Sequence, residues 1–403
     1  MNRRLLMLLT LTCGVAVGNI YFPQTISPLV AAGLHLSPEA VAVVVTAVQF
    51  GYAAGIFLLV PLGDRIPHRP LIVALLGITG VALLAAAAAP ALPPLVGASA
   101  VVGVATVVAP IIGPLAADLT ADNQRGLVSG TLLSGSIGGM LLSRTAAGAL
   151  GDWWGWRAPY LTAATAVLLI AVVMARVLPA TRPQSTYRYP ALLAEPLRLL
   201  CTERELRRSC LYQGLVFAGF SAVWTTVALL LTGPAYGLGA PAVGMLALVN
   251  AGTMLCTPVA GRLVDRRGAD VVNLVCMLGV IASAVVLAFG GVGGVGGVTA
   301  LVLGTLVLDV GMRSGMVANQ VRIYALRPGA RSRLNTAYMT CAYLGGGVGS
   351  WLGARAYARL GWVGVCGLLA LLAAVALAHH LMSTTVLRRH RASSFVDVAG
   401  LGG

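Results

Sequence analysis

The sequence predicts an all-helical membrane protein of twelve transmembrane helices, arranged as two six-helix halves related by pseudo-two-fold symmetry. Three observations predict it. Of the 403 residues, 58% are hydrophobic and only 10% charged, with a mean hydropathy of +0.89, which lies outside the range of soluble globular domains. Apolar runs of about 20 residues, each long enough to cross a hydrocarbon core of roughly 30 Å, recur twelve times. Landmarks also repeat at half-chain distance: Asp64-Arg65 and Asp265-Arg266 lie 201 residues apart, and Gly155-Trp156 and Gly361-Trp362 lie 206 apart. Such self-similarity marks an internal duplication.

In chain order the runs fall at 5–29, 39–62, 71–89, 94–117, 127–150 and 158–178, then 211–232, 241–262, 271–290, 297–318, 334–357 and 362–383. The implied organisation is a six-helix bundle over 1–178, an inter-half linker over 179–210, a second bundle over 211–387 and a tail over 388–403. Arg3 and Arg4 precede an apolar run that continues past Cys13, which reads as an uncleaved first helix rather than a cleaved signal. The Gly-rich stretch 290–297 reads as a tight turn between helices.

Small residues recur at every fourth position in the fifth helix (Gly126, Gly130, Ser134, Gly138) and the eleventh (Gly345, Gly349, Gly353). This spacing lets helix backbones approach closely, either as surfaces that slide or as static packing.

Arginine placement sets the orientation. All 27 basic residues are Arg; 22 fall on the side of the N-terminus, Arg157, Arg355 and Arg359 on the opposite side, and Arg144 and Arg313 within helices. By the positive-inside rule both termini and the linker are cytoplasmic, in what composition suggests is a bacterial inner membrane.

Several function classes are excluded or disfavoured. The net charge of +15 sits in short loops rather than in a basic patch with exposed aromatics, so nucleic acid is not an expected partner. The absence of Lys removes the phosphate-cradling P-loop. Seven Cys and five His show no ligand spacing, so no metal or cofactor is expected. No nucleophile–base pair suggests an enzyme. The expected partner is the lipid bilayer, with the protein acting as a monomer.

The two charged turns carry the most specific signal. Gly261-Arg-Leu-Val-Asp265-Arg266-Arg-Gly268 follows the eighth run, and Gly63-Asp64-Arg65-Ile-Pro-His-Arg69 follows the second. With twelve helices and a central linker, these turns resemble the major facilitator superfamily over nearly the whole chain. The resemblance implies a conformational latch, with Asp64, Arg65 and Arg69 in one half and Gly261, Asp265, Arg266 and Gly268 in the other. The first copy departs from the pattern at Val60 and Pro67, so its turn is shaped differently. A topogenic loop without gating is the alternative.

Residues 17–24, Gln49-Phe-Gly-Tyr52, Pro61-Leu-Gly-Asp64, Asn319-Gln320 and 331–335 look like the branch of bacterial drug:proton antiporters and sugar-efflux permeases. Two hallmarks of antiporters are absent. Ser99 stands where an intramembrane Arg is expected, and Ser143-Arg144 where a Gly-Pro is expected. The resemblance implies proton-coupled efflux of a small organic molecule by alternating access; a proton-coupled importer and a non-transporting sensor or scaffold are the alternatives.

Charged side chains inside a bilayer are functional candidates by default. Asp309 lies near the middle of the tenth run with Arg313 one turn on, and Arg144 lies in the fifth. Asp309 is expected to carry the proton, or else to form an i, i+4 ion pair with Arg313; Arg144 either binds an anionic group or pairs with Asp309. Polar and aromatic stripes complete a candidate cavity: Tyr21, Gln24 and Thr25; Gln49 and Tyr52; Gln213, Phe217, Phe220 and Trp224; Asn250 and Met254. Trp153, Trp154, Trp156 and Trp362 are expected as interface anchors.

Overall fold

A backbone without water to bond must satisfy its own N–H and C=O groups, and the Ala-, Leu- and Val-rich runs do so as helices. The computed structural model describes residues 2–121, 124–179 and 188–399, without the side chains of Met254, Leu255, Thr257, Pro328 and 385–399. No strand occurs among the described residues.

The first half comprises α1 (Arg3–Gly33), α2 (Pro38–Leu59) with a 3-10 extension Val60–Asp64, α3 (His68–Ala87), α4 (Leu92–Ala105) continued by α5 (Val108–Asp118), α6 (Arg125–Trp154) and α7 (Arg157–Val177). A linker helix, α8 (Tyr189–Thr202), leads to the second half. There α9 (Arg204–Thr232), α10 (Ala240–Val249), a 3-10 turn Asn250–Leu255, α11 (Cys256–Arg267), α12 (Ala269–Ala288), α13 (Gly294–Leu326) and α14 (Arg331–Ala399) follow.

Helices α4 and α5 make one span, and α10 and α11 make another with a 43° bend. The apolar stretch Arg331–Thr384, 54 residues, measures about 80 Å at 1.5 Å per residue, more than twice a bilayer core. It divides at Gly361, where φ is 64° and ψ −158°, so the chain has twelve spans.

Boundaries move where polar residues are helix formers. The seventh span begins at Arg204, inside the segment expected as linker, because its charged first turns are held by ion pairs. The rest of the linker falls partly on 180–187, outside the described residues, as do 400–403 of the expected tail; helical backbone runs to Ala399. The Gly-rich turn is real: Gly293 and Gly294 have φ of 81° and 65°, a region few other residues adopt.

The expected glycine stripes differ in fate. Gly345, Gly349 and Gly353 press α14 onto Gly214, Ala218 and Ala222 of α9; a Cβ at Gly349 would lie 2.0 Å from the Ala218 carbonyl oxygen. In α6 the contact falls one residue along. Gly135 and Gly139 abut Thr10 and Gly14 of α1, whereas Gly126, Gly130 and Gly138 face open space. Of the tryptophans, Trp153 and Trp154 are exposed, but Trp156 and Trp362 are buried. Trp362 donates to the Leu287 carbonyl at 2.6 Å, so it packs the bundle instead of anchoring the interface.

The two halves meet chiefly along α2 with α14 and α6 with α10. Near the ends away from the linker this seam is tight: Thr145 Oγ1 donates to the Gly244 carbonyl at 3.0 Å, and a Cβ on Gly244 would lie 2.6 Å from Thr145 Cα. On the linker side α8 bridges the halves, with the Tyr189 hydroxyl on the Leu58 carbonyl at 2.6 Å and Glu195 paired to Arg333 at 2.7 Å.

Candidate functional site

A cavity of about 620 Å³ lies between the halves, with walls from both. Tyr21, Tyr52, Gln213, Phe217 and Arg313 line it, so four of the eight expected substrate residues are brought together there. Its mouth is marked by Ser129, Tyr324, Arg331 and Asn335, which sit at helix ends on the linker face. The opposite ends are closed by the α6–α10 seam, so the cavity opens on one face only.

The remaining expected residues support its blind end. Gln24 accepts a hydrogen bond from Arg144 Nη2 at 2.7 Å. Trp224 donates Nε1–H to Asp309 Oδ1 at 3.3 Å, while its ring lies 4.1 Å from the Arg144 guanidinium carbon. Gln49 spans the seam, donating to Ser350 Oγ at 3.0 Å and accepting from Ser221 Oγ at 3.2 Å. Asn250 packs away from the cavity: its amide donates to Thr305 Oγ1 at 3.0 Å and to the Leu246 carbonyl at 2.8 Å, holding the break in the eighth span. Met254 lies outside the described side chains.

Asp309 sits at the midpoint of α13 and is 1% exposed; Arg144 is 1% exposed and Arg313 6%. Both arginines act electrostatically on Asp309, yet among the described residues it forms an ion pair with neither. Its hydrogen-bond partner is Trp224 instead. Nε and Nη1 of Arg144, and Nε and Nη2 of Arg313, are buried without a partner. Two buried guanidinium groups thus lie in the field of one carboxylate, and buried charge left unpaired is costly.

The structure also supplies partners that periodicity missed. Tyr343 of α14 meets the Tyr21 hydroxyl at 3.1 Å and packs edge-on against Tyr52 and Phe217. Ser350, one turn-pair further, joins Gln49 to Thr225. Tyr343 and Ser350 are seven residues apart, a spacing that places them on one helix face, so the signal was present.

At the linker face Asp64 lies in electrostatic range of Arg333 from the other half. Arg65 is exposed, and Arg69 donates to the Ala175 carbonyl within its own half. Asp265 and Arg266 are exposed at the end of α11, a Cβ added at Gly261 would meet nothing outside its own helix within 4 Å, and Gly268 turns the chain at φ 81°. The ionic cluster of the second half gathers on Asp270 instead, which binds Arg208 at 2.8 Å and Arg322, with Glu205 3.4 Å from Arg208. A larger groove of about 850 Å³ between α1, α6 and α7 is bordered by exposed Met7, Leu11 and Leu142; it opens sideways, away from this site.

Comparison with known proteins decides the family. A profile of the Major Facilitator Superfamily matches residues 7–323. The chain belongs to the major facilitator superfamily. Within it, an uncharacterised transporter of Escherichia coli O157:H7, YgaY, is 35% identical over 362 residues, covering 90% of this chain and 91% of the relative. Multidrug resistance protein D of Escherichia coli K12 is 30% identical over 183 residues, covering 45% of this chain and 46% of that protein. A crystal structure of the nucleoside transporter NupG superposes with a TM-score of 0.79 at 12% identity, covering 94% of this chain and 99% of NupG; that likeness is one of fold. The major facilitator assignment accounts for twelve helices, two halves and a cavity between them, and it makes the chain a multi-pass membrane transporter.

Proposed function

We propose that this protein is a proton-coupled secondary transporter of a small organic molecule, working by alternating access, with Asp309 as the proton-carrying carboxylate. The observation that carries the reading is the position of Asp309: buried at the middle of a span, beside a cavity walled by both halves, with no ion pair among the described residues. A carboxylate so placed changes charge as access changes sides. With the linker and termini cytoplasmic by arginine distribution, the cavity faces inward. The latch residues of the two charged turns, Asp64 above all, lie on the linker face and would hold the opposite state, in which this mouth is shut.

Export is the first reading for direction, since the chain resembles a multidrug resistance protein over nearly half its length. A second reading, uptake of a metabolite together with a proton, is favoured by the excess of guanidinium over carboxylate in the site.

The test is substrate-triggered proton movement in proteoliposomes loaded with a pH dye, screening lipophilic cations, sugars, amino acids and organic acids, with wild type beside Asp309→Asn. Wild type is expected to move protons with one class, and the folded variant to lose that movement. Protons moving opposite to substrate mean export by exchange; protons moving with it mean cotransport. Substrate flux without proton movement would discard the coupling and return Asp309 to a structural role.

A further inference from the structure

Just beyond the blind end of the cavity, behind the Tyr21 and Arg313 that line it, lies an imbalance that proton carrying does not use. Arg144 comes from the first half and Arg313 from the second, and each leaves two buried nitrogens without an acceptor. The hydrogen bond that Arg144 does make goes to neutral Gln24, and the hydrogen bond that Asp309 accepts comes from neutral Trp224. Buried guanidinium groups are rarely left with free N–H donors, and planar forks of this kind match the oxygens of a carboxylate or phosphate. The surroundings are aromatic: Tyr21 lies 5.1 Å and Trp224 4.1 Å from the Arg144 guanidinium carbon, and Phe217, which lines the cavity, stacks on Phe220 at 5.5 Å.

We propose that the substrate is an organic anion, its acid group held between Arg144 and Arg313 across the two halves and its apolar body lying along Tyr21, Phe217 and Phe220. This rests on the reading of the cavity as the transport site and adds to it the chemical class of the cargo. The bridging position matters: an anion held by one arginine from each half draws the halves together at the level of the seam, which is what occlusion requires. Asp309 shares the field of the same two arginines, so its carboxylate competes with the incoming acid for them. Protonated Asp309 no longer competes, and anion and proton are then bound together, which is the order that cotransport needs. Apart from Trp224, the groups acting on Asp309 are Arg144, Arg313 and Tyr21.

The experiment is equilibrium binding to the purified full-length protein in detergent, with three probes that differ only at the polar end: indole-3-acetate, its neutral amide and the amine tryptamine. Charge-assisted hydrogen bonds exceed neutral ones by enough to separate these probes by roughly tenfold or more. The carboxylate is expected to bind at least about tenfold tighter than the amide, and Arg144→Gln and Arg313→Gln each to erase that preference while weak amide binding survives. Arg144→Lys, which keeps the charge without the fork, is expected to restore part of it.

Equal binding of all three probes, a preference for tryptamine, no binding of the carboxylate, or a carboxylate preference that survives both glutamine variants would each overturn the proposal. Since binding needs no flux, a carboxylate preference in a protein that moves no protons leaves the anion site standing and removes the coupling. Proton-coupled flux of cations with no such preference does the reverse.

Discussion

Gln24 holds the key to the charge balance at the residue scale. It is 1% exposed, and its Oε1 accepts the hydrogen bond that the structure gives Arg144. A neutral acceptor satisfies one N–H and leaves the guanidinium charge in place for something else. Replacing it by a carboxylate would turn a neutral acceptor into an ionised one, a bond stronger by about 1 kcal/mol or more. Gln24→Glu is therefore expected to raise the thermal unfolding temperature of the detergent-solubilised protein by a few degrees. The same change neutralises the pocket, so indole-3-acetate affinity is expected to fall by roughly tenfold. The two effects have opposite signs, which separates a functional imbalance from a packing accident: a variant that is more stable and binds the acid as well as wild type would mean that Arg144 plays no part in binding.

Among the elements, helix packing in this protein depends on where small residues meet backbone. In α14, Gly349 has the Ala218 carbonyl 2.0 Å from where a Cβ would stand; in α6, Gly130 has nothing within 4 Å. Alanine within a helix is otherwise favoured over glycine by about 1 kcal/mol. Gly349→Ala is thus expected to lower the unfolding temperature by several degrees, because backbone cannot yield as a flexible side chain does, and Gly130→Ala to leave it unchanged or slightly higher. Thermal unfolding of both variants side by side checks the sign, and equal shifts would contradict the packing described.

These two glycines also mark how far the sequence could be read. Spacing identified both helices as having small-residue faces, and in α14 the expected face is the one in contact. In α6 the contact falls on Gly135 and Gly139 instead, since periodicity within one helix does not say which neighbour approaches or from what angle. The twelve spans were legible because length and apolarity reveal them, with Gly361 dividing the last pair. The site was legible in its charges, Asp309, Arg144 and Arg313, because charge inside a bilayer stands out whatever its surroundings. It was not legible in its pairings. An i, i+4 spacing suggests an Asp309–Arg313 ion pair, but the Asp309 carboxylate accepts its hydrogen bond from Trp224 of another helix, a relation that exists only once helices 85 residues apart have packed. Asp270 is hidden from sequence for the same reason: its partners Arg208 and Arg322 sit on two other helices.

For the whole molecule, the two ends of the seam are in opposite states. The α6–α10 contact at Thr145 and Gly244 is closed, and the mouth at Ser129, Tyr324 and Asn335 is open toward the linker. Packed interfaces switch between discrete arrangements and do not deform continuously, so opening one end of a rigid six-helix half closes the other. Two single-cysteine variants in a chain otherwise without cysteine test this, Ser129→Cys at the mouth and Thr145→Cys in the closed seam. A membrane-impermeant maleimide supplied on the linker face is expected to label the first quickly, and the second is expected to resist labelling from either face at rest. Once substrate is turning over, labelling at position 129 should slow and labelling at 145 from the opposite face should begin, the two changing together because one rigid-body motion produces both. Unchanged rates at both positions during measured flux would mean that substrate crosses by a route other than this cavity. Change at only one would mean that the seam and the mouth move independently, and alternating access in its rigid-body form would be wrong for this protein.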